Sequence, residues 1–209
     1  MPQHSVSVDQ SDVLVIGTGY LGSRVAALAT GEDLTVHTTT RTSEKFPAFR
    51  AQGWSPVRFD WTKEPGPENE LPVLSPSPRV LISVSYDRNS GVGRQESQVG
   101  GLERLLGLLP PDARLCYIST TGVYHQADGA WVDENSPAQP SREGGQAHLK
   151  AEQLLRERRR DGRWHVFRLS GIYGPGRVPR IADVRDGKPI ASLETGFLNL
   201  IHVDDAAAA

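Results

Sequence analysis

Short apolar runs alternate with helical patterns along almost the whole chain. Seven runs are short, rich in β-branched residues and bounded by turn-forming residues, which is typical of buried strands. They lie at Val13–Ile16, Leu34–Thr39, Pro56–Phe59, Val80–Val84, Leu115–Ser119, Val166–Leu169 and Asn199–Ile201. Apolar residues recur at helical spacing between them, most clearly in Leu21–Ala29, Gln95–Leu109 and Gln146–Arg160. This alternation predicts an α/β fold with a parallel sheet that is covered on both faces.

Two polar stretches depart from this pattern. The sequence MPQHSVSVDQS has no strand or helix period, so we expect residues 1–11 to be a disordered N-terminal segment. The stretch KEPGPENELPVLSPSP, Lys63–Pro78, is rich in proline and fits neither period. It is therefore predicted to be mostly surface loop.

A glycine-rich turn, GTGYLG, joins the first predicted strand to the first predicted helix. In this context the first glycine permits a tight turn, the second lets the backbone approach a pyrophosphate, and the third lets the helix pack on the strand. The helix N-terminus then stabilises the phosphate charge. The pattern predicts a Rossmann-like, doubly wound sheet that binds a dinucleotide. Its predicted cofactor contacts in this turn are Gly17, Thr18, Gly19, Tyr20, Leu21 and Gly22.

The end of the second strand indicates which dinucleotide binds. Enzymes that prefer NAD place a carboxylate there, about 20 residues past the glycines, where it accepts a hydrogen bond from the ribose 2′-hydroxyl. This chain has VHTTTRTSEK instead, in which Thr40 is neutral and Arg41 carries a guanidinium suited to a 2′-phosphate. We therefore predict NADP(H), with NAD as the alternative cofactor. The simpler alternative for Arg41 is a solvated loop residue.

Composition and charge narrow the class of protein. The net charge of −2 over 209 residues gives no electrostatic footprint for nucleic acid or an anionic membrane, and we expect neither as a partner. The basic run Arg156–Arg160 ends a predicted helix, where it complements the helix dipole. The single cysteine, Cys116, excludes an intrachain disulfide and a multi-cysteine metal site. Without a signal peptide or a long apolar stretch, we expect a cytoplasmic protein that acts on a small molecule.

Four segments together resemble one protein family. GTGYLGSRVA, ISTTGVYHQADGAWVDENSP, RLSGIYGPGR and NLIHVDDAAAA have the order and spacing of the extended and atypical short-chain dehydrogenases/reductases, the NAD-dependent epimerase/dehydratase family. The resemblance implies that Asp60, after the third strand, contacts adenine, and that Ser83 and Val84 line the cofactor at the end of the fourth strand. It also implies that Tyr173–Gly176 closes over the nicotinamide.

The resemblance divides the chain into two parts. It implies an NAD(P)-binding domain over 12–170 and the start of a substrate-binding portion over 171–209, with the last core strand near 199–201. Family members continue well beyond this point, so we expect a truncated chain whose C-terminal substrate lobe is small and incomplete. Subunits of the family often pair through the helices equivalent to Gln95–Leu109 and Gln146–Arg160, which makes a homodimer one expectation. The sequence does not identify the substrate.

Only one catalytic residue of the family has a match in this chain. The family places a serine or threonine four residues before a tyrosine to donate a hydrogen bond to the reacting oxygen, and Thr120 in STTGVY takes that position. The family's tyrosine acid/base and the lysine four residues later correspond to Gly144 and His148, when the helix is aligned on its Ala151–Glu152 pair. A glycine supplies no proton, so the usual pair is absent.

Nearby side chains are candidates to replace the missing tyrosine. His148 titrates near neutral pH and lies one helical turn from Gly144, and Tyr124 is a second candidate. For both, a surface or packing role is the alternative. Other candidates are His125, Lys150 and Tyr173.

Two classes of function therefore stay open. One is an NAD(P)-dependent epimerase/dehydratase or reductase that acts on a carbonyl or secondary alcohol, for example in a nucleotide sugar. The other is a dinucleotide-binding sensor or scaffold with little or no turnover. Loss of the acid/base without a replacement is expected to slow turnover by about 10² to 10⁴.

Overall fold

A computed structural model describes residues 12–126, 129–189 and 197–209. The predicted N-terminal segment, 1–11, lies outside the described residues. Six parallel strands form the central sheet, in the order β3-β2-β1-β4-β5-β6. The strands are β1 Val13–Ile16, β2 Val36–Thr40, β3 Ser55–Arg58, β4 Arg79–Ile82, β5 Arg114–Thr120 and β6 Trp164–Leu169. The order reverses between β1 and β4, and ligands of such sheets bind beyond the carboxyl ends of the strands at this switch point.

Helices follow the strands on both faces of the sheet. They are α1 Gly22–Gly31, α2 Phe46–Arg50, α3 Gly101–Leu108, α4 Glu143–Arg158, α5 Ile181–Arg185 and α6 Val203–Ala208. Short 3₁₀ turns cover Ser43–Lys45 and Thr121–Val123. None of the helices in the described part of the chain is long and apolar enough to cross a membrane.

The predicted helix Gln95–Leu109 divides into two parts. It begins with a π turn over Glu96–Gly100 and continues as α3. A side chain at Gly101 would place its Cβ 2.8 Å from the Trp61 ring, so the junction packs its backbone directly on that ring. A π turn of this kind shifts the side chains that follow it, which a helical sequence period alone does not indicate.

The core confirms the prediction of a sheet buried on both faces. Leu14 and Ile16 of β1 pack in a cluster with α3 and α4, whereas Val13 and Val15 pack in a second cluster with α1. Successive side chains of a strand point to opposite faces of the sheet. Because helices cover both faces, all four residues of β1 are buried. The α/β, doubly wound architecture predicted from the sequence is therefore correct.

The C-terminal part differs from the prediction in one respect. The predicted seventh strand, Asn199–Ile201, is found as β8, Leu200–His202, but it pairs in parallel with β7, Gly171–Tyr173, in a separate two-stranded sheet. It does not extend the central sheet. Ile201 packs with Leu21 and Val203 in a third apolar cluster, which attaches α6 to α1. The short strand is therefore stabilised by contacts with the start of α1 rather than by the main sheet.

Candidate functional site

The glycine turn after β1 has the geometry that its spacing predicts. Gly17 has a φ of +90°, and a Cβ there would lie 2.6 Å from the carbonyl oxygen of Ser83. A Cβ on Gly22 would lie 2.4 Å from the carbonyl oxygen of Gly17, so this glycine lets α1 approach the turn. A Cβ on Gly19 would meet nothing within 4 Å. The second glycine thus leaves open space where a pyrophosphate can approach the backbone.

Thr39 at the end of β2 fixes this turn. Its buried hydroxyl accepts a hydrogen bond from the Gly17 amide at 2.9 Å and donates one to the Val15 carbonyl at 3.2 Å. The sequence identifies the threonines of β2 only as neutral residues in place of a carboxylate and does not predict this hydrogen bond to the glycine turn. The run of three threonines was the available signal, but it does not show which hydroxyl faces β1.

A cleft at the switch point gathers most of the predicted cofactor residues. Eight of the eleven line it: Gly17, Thr18, Gly19, Thr40, Arg41, Asp60, Ser83 and Val84. The Thr18 hydroxyl is buried there and has no hydrogen-bond partner among the described residues, so a bound ligand could supply one. Lys45 and Thr62 also line the cleft and were not predicted. These features fit a dinucleotide.

The other three predicted residues connect the turn to the C-terminal part of the chain. The Tyr20 hydroxyl donates a hydrogen bond to the Pro175 carbonyl at 3.0 Å, which fixes the Tyr173–Gly176 loop beside the turn. Leu21 is buried in the third apolar cluster, and Gly22 packs against the turn itself. These three residues stabilise the turn and do not line the cleft.

Asp60 and Arg41, the residues predicted to contact the adenosine part of the cofactor, both line the cleft. Asp60 Oδ1 accepts hydrogen bonds from the Thr62 amide at 3.0 Å and the Thr62 hydroxyl at 2.6 Å, which orients the carboxylate. Arg41 is 54% exposed, and its Nη2 lies 2.7 Å from Oδ2 of Asp87. The Asn89 amide and the Arg41 guanidinium lower the pKa of Asp87, so this carboxylate is charged at neutral pH. Arg41 thus lines the cleft as part of an ion pair, and Lys45 adds a second cation to the same cleft.

A second pocket lies between the end of β5 and the start of α4. Thr120, His148 and Gly144 line it together, so the structure brings these predicted positions into one site. Thr120 Oγ1 accepts a hydrogen bond from the Gly122 amide at 3.0 Å, which leaves the hydroxyl hydrogen for a ligand. A Cβ on Gly145 would lie 2.0 Å from the Gly122 carbonyl oxygen, so this glycine lets α4 begin directly beside the Thr121–Val123 turn that follows Thr120. The remaining lining residues are Arg94, Gly122, Arg142, Glu143 and Gly145.

His148 is paired with a buried tyrosine. The Tyr117 hydroxyl lies 2.9 Å from Nδ1 of His148. Burial, opposed by the charge of Glu152 and reinforced by that of Arg94, lowers the pKa of His148 from its ordinary value. Burial and the nearby Glu152 charge raise the pKa of Tyr117. Both side chains are therefore neutral at pH 7.

Tyr124 belongs to a different group of side chains. Its hydroxyl accepts a hydrogen bond from Nη1 of Arg168 at 3.0 Å, and Arg168 binds the carboxylate of the buried Glu152. Glu152 also accepts a hydrogen bond of 2.6 Å from the Ser119 hydroxyl. The hydrogen bond to Glu152 raises the pKa of Arg168, so the guanidinium keeps its charge. Tyr124 is thus held by this buried network and does not line the Thr120 pocket.

The remaining candidates have other neighbours. Lys150 donates a hydrogen bond to Gln95 Oε1 at 2.9 Å on the surface. The Tyr173 ring packs edge-on against the His202 ring, and His125 is exposed. Of the predicted acid/base candidates, His148 alone lines the pocket with Thr120.

Comparison with known proteins agrees with this geometry. The model of the NAD dependent epimerase/dehydratase family matches residues 13–209. No curated protein matches the sequence. Among solved structures, a conserved protein of unknown function from Silicibacter pomeroyi is 29% identical with a TM-score of 0.69, over 95% of this chain and 66% of that chain.

Two further solved structures are similar. A Methylobacillus flagellatus protein assigned to the NAD-dependent epimerases/dehydratases is 26% identical with a TM-score of 0.65, over 95% of this chain and 68% of that one. The UDP-glucuronic acid 4-epimerase of Bacillus cereus, in complex with NAD, is 18% identical with a TM-score of 0.65, over 94% of this chain and 70% of that one, and shows the shared fold. The chain thus spans about two thirds of the length of the first two structures.

Proposed function

The chain belongs to the NAD-dependent epimerase/dehydratase family, and from this premise we propose that it is an NADP(H)-dependent enzyme that acts on a carbonyl or secondary alcohol. The observation that carries the proposal is that Thr120 and His148 line one pocket near the carboxyl ends of the strands. When bound, the nicotinamide supplies or accepts a hydride. A nucleotide sugar is one substrate class that the resemblance suggests. In this proposal 12–170 form the cofactor domain and 171–209 begin the substrate portion.

The switch-point cleft would hold the cofactor. The Gly17–Gly22 turn and the N-terminus of α1 would bind the pyrophosphate, as the open space at Gly19 supports. Asp60 would accept a hydrogen bond from adenine, and its orientation by Thr62 supports this role. Arg41 and Lys45 supply two cations on the cleft wall, which favours a 2′-phosphate and hence NADP(H) over NAD(H).

Thr120 and His148 would act on the reacting oxygen as hydrogen-bond donors. The mechanism uses the His148 tautomer that carries its hydrogen on Nε2, in which Nδ1 accepts a hydrogen bond from the protonated Tyr117 hydroxyl. Both donors would stabilise negative charge on the oxygen during hydride transfer to a carbonyl. Proton delivery by neutral His148 would leave a buried phenolate on Tyr117, which is unfavourable. The imidazolium form of His148 is therefore the competent acid in this mechanism.

A sensor or scaffold is the second candidate function. The observation that favours it is Gly144, which stands where the family has its tyrosine and provides no acid/base. Such a protein would bind the dinucleotide in the same cleft and would turn over no carbonyl substrate.

Binding and turnover measured on the same variants distinguish the two functions. We would measure NADPH affinity by fluorescence and NADPH oxidation with a panel of aldehydes, ketones and oxo acids. If the protein is an enzyme, Thr120→Val and His148→Gln should each lower turnover by about 10² or more, while NADPH affinity stays within about threefold of the parent value. His125→Gln, a substitution at an exposed residue, is the matched control and should keep full turnover. NADPH binding without oxidation of any compound in the panel would favour the sensor.

A further inference from the structure

Arg94 directs a guanidinium into the Thr120 pocket. Its Cζ lies 4.1 Å above the centre of the Tyr86 ring, and its side chain is only 21% exposed. Nε is buried and has no hydrogen-bond partner among the described residues. Oε2 of Glu143 lies 3.8 Å from Nε, too far for a hydrogen bond. Stacking on Tyr86 uses the face of the guanidinium and leaves N–H groups on its edge for another acceptor.

The guanidinium occupies the space beside the missing tyrosine position. A Cβ on Gly144 would lie 3.7 Å from Nη1 and 3.8 Å from Cζ of Arg94. A larger side chain at position 144 would therefore compete with Arg94 for the same space. The glycine that removes the usual acid/base also allows a cation to enter the pocket.

The pocket has an excess of positive charge. Arg94 and Arg142 line it with one carboxylate, Glu143, and His148 is neutral at pH 7. The Glu143 side chain is 73% exposed, so it can turn into solvent when a ligand takes its place. A buried Nε–H group without a hydrogen-bond acceptor is unfavourable, whereas an anion could accept parallel N–H bonds from Nε and a neighbouring Nη. These features point to an anionic ligand.

We propose that Arg94 binds a carboxylate of the substrate, next to the carbon that reacts above Thr120 and His148. The substrate class is then a small oxo acid or hydroxy acid, or a sugar acid, rather than a neutral ketone. The reactive role of the neighbouring carbon rests on the proposed function. The anion site itself does not rest on the proposed function, because it is inferred from Arg94 and its surroundings.

The test is calorimetric titration of the protein, with and without NADPH, using oxamate and its neutral analogue oxamide. Oxamate should bind at least about tenfold more tightly than oxamide, because only oxamate provides a charge-assisted acceptor. Arg94→Met should remove this preference, and Arg94→Lys should keep part of it because it retains the charge but not the fork. Glu143→Gln should tighten oxamate binding. Arg88→Met, a change at an exposed arginine, is the control and should leave the preference unchanged.

These binding measurements test the anion site independently of any enzymatic activity. Equal binding of oxamate and oxamide, or an Arg94→Met protein that keeps the preference, would overturn it. Inorganic phosphate binding more tightly than oxamate, with loss in Arg94→Met, would overturn the carboxylate assignment and identify a phosphoryl site. An Arg94-dependent preference for oxamate supports the site even where no NADPH oxidation is found, and in that case only the proposed enzymatic function fails.

Discussion

Arg168 binds both carboxylate oxygens of Glu152 in the protein interior, with Nη2–Oε2 at 2.7 Å and Nε–Oε1 at 3.1 Å. The pair connects β6 to α4, and the Ser119 hydroxyl on β5 donates to the same carboxylate. The Glu152 carboxylate thus joins three elements, of which β5 and α4 contribute Thr120 and His148 to the pocket. The position of His148, one turn before Glu152 on α4, depends on this connection.

Removing one member of this pair should destabilise the fold strongly. Glu152→Ala leaves the guanidinium of Arg168 without its partner, and broken buried pairs typically cost about 3 to 5 kcal/mol. Arg156→Ala is the control, since Arg156 lies 3.7 Å from the same carboxylate but is an exposed residue, and it should cost under about 1 kcal/mol. Urea unfolding measures both free energies. Similar losses in the two variants would contradict the buried pairing.

The glycine turn should separate folding from ligand binding. Gly22→Ala forces a Cβ to 2.4 Å from the Gly17 carbonyl oxygen and should lower stability by about 1 to 3 kcal/mol. Gly19→Ala meets no neighbouring atom and should unfold at nearly the parent temperature, yet bind NADPH at least about tenfold more weakly because a methyl blocks the pyrophosphate. Thermal unfolding measures the stability of both variants, and fluorescence titration measures their NADPH affinity. Undiminished NADPH affinity in Gly19→Ala would mean that no phosphate approaches this backbone.

The ion pair of Arg41 and Asp87 should set the cofactor preference. NADPH should bind more tightly than NADH, and Arg41→Ala should reduce this preference by about tenfold through loss of a charge-assisted contact. Asp87→Asn should increase the preference, because it releases Arg41 and removes a charged carboxylate near the phosphate. Arg88→Ala serves as the exposed control. Equal affinities for NADPH and NADH in the parent protein would refute the assignment.

The parts of the fold that the sequence predicts are those with local signals. The glycine spacing and the apolar run Val13–Ile16 are enough to predict the switch-point cleft, because both lie within one strand-turn-helix unit. The partner of β8 has no such signal. Its pairing with β7 depends on contacts of Ile201 with Leu21, which are far apart in sequence.

The candidate site was predictable in the same uneven way. Thr120 and His148 were predicted from the family resemblance, and the structure brings both into one pocket. Arg94 was missed because it lies just outside the predicted helix Gln95–Leu109, in the helical residues before the π turn, and its relation to Gly144 exists only after α4 packs on that turn. Tyr117 was missed because a tyrosine inside an apolar strand is usual in a core, and only the fold shows its contact with His148.

Stability should fall as the pH is lowered, because of His148. Burial holds its folded pKa below the ordinary value of 6.5, so the unfolded chain binds more protons below that pH. His148 therefore leaves the free energy of unfolding unchanged above about pH 6.5. Below that pH the free energy of unfolding decreases progressively as the pH falls toward the folded pKa of His148. Urea unfolding at several pH values between 5 and 7.5 should show that the free energy of unfolding depends less steeply on pH in His148→Gln than in the parent. Identical slopes would mean that His148 is not buried in its neutral form.

Carbonyl reduction should become faster over the same pH range in which the fold weakens. If imidazolium His148 is the acid, kcat/KM for NADPH-dependent reduction should rise about tenfold for each unit of decreasing pH, until the pH reaches the lowered pKa of His148. Tyr117→Phe removes a donor that favours the neutral ring, so it should raise this pKa and shift the rise in rate to higher pH. His148→Gln should abolish the dependence, while circular dichroism confirms that each variant is folded at the pH of assay. A pH-independent rate in the parent, or an unchanged profile in Tyr117→Phe, would show that the proton comes from another group.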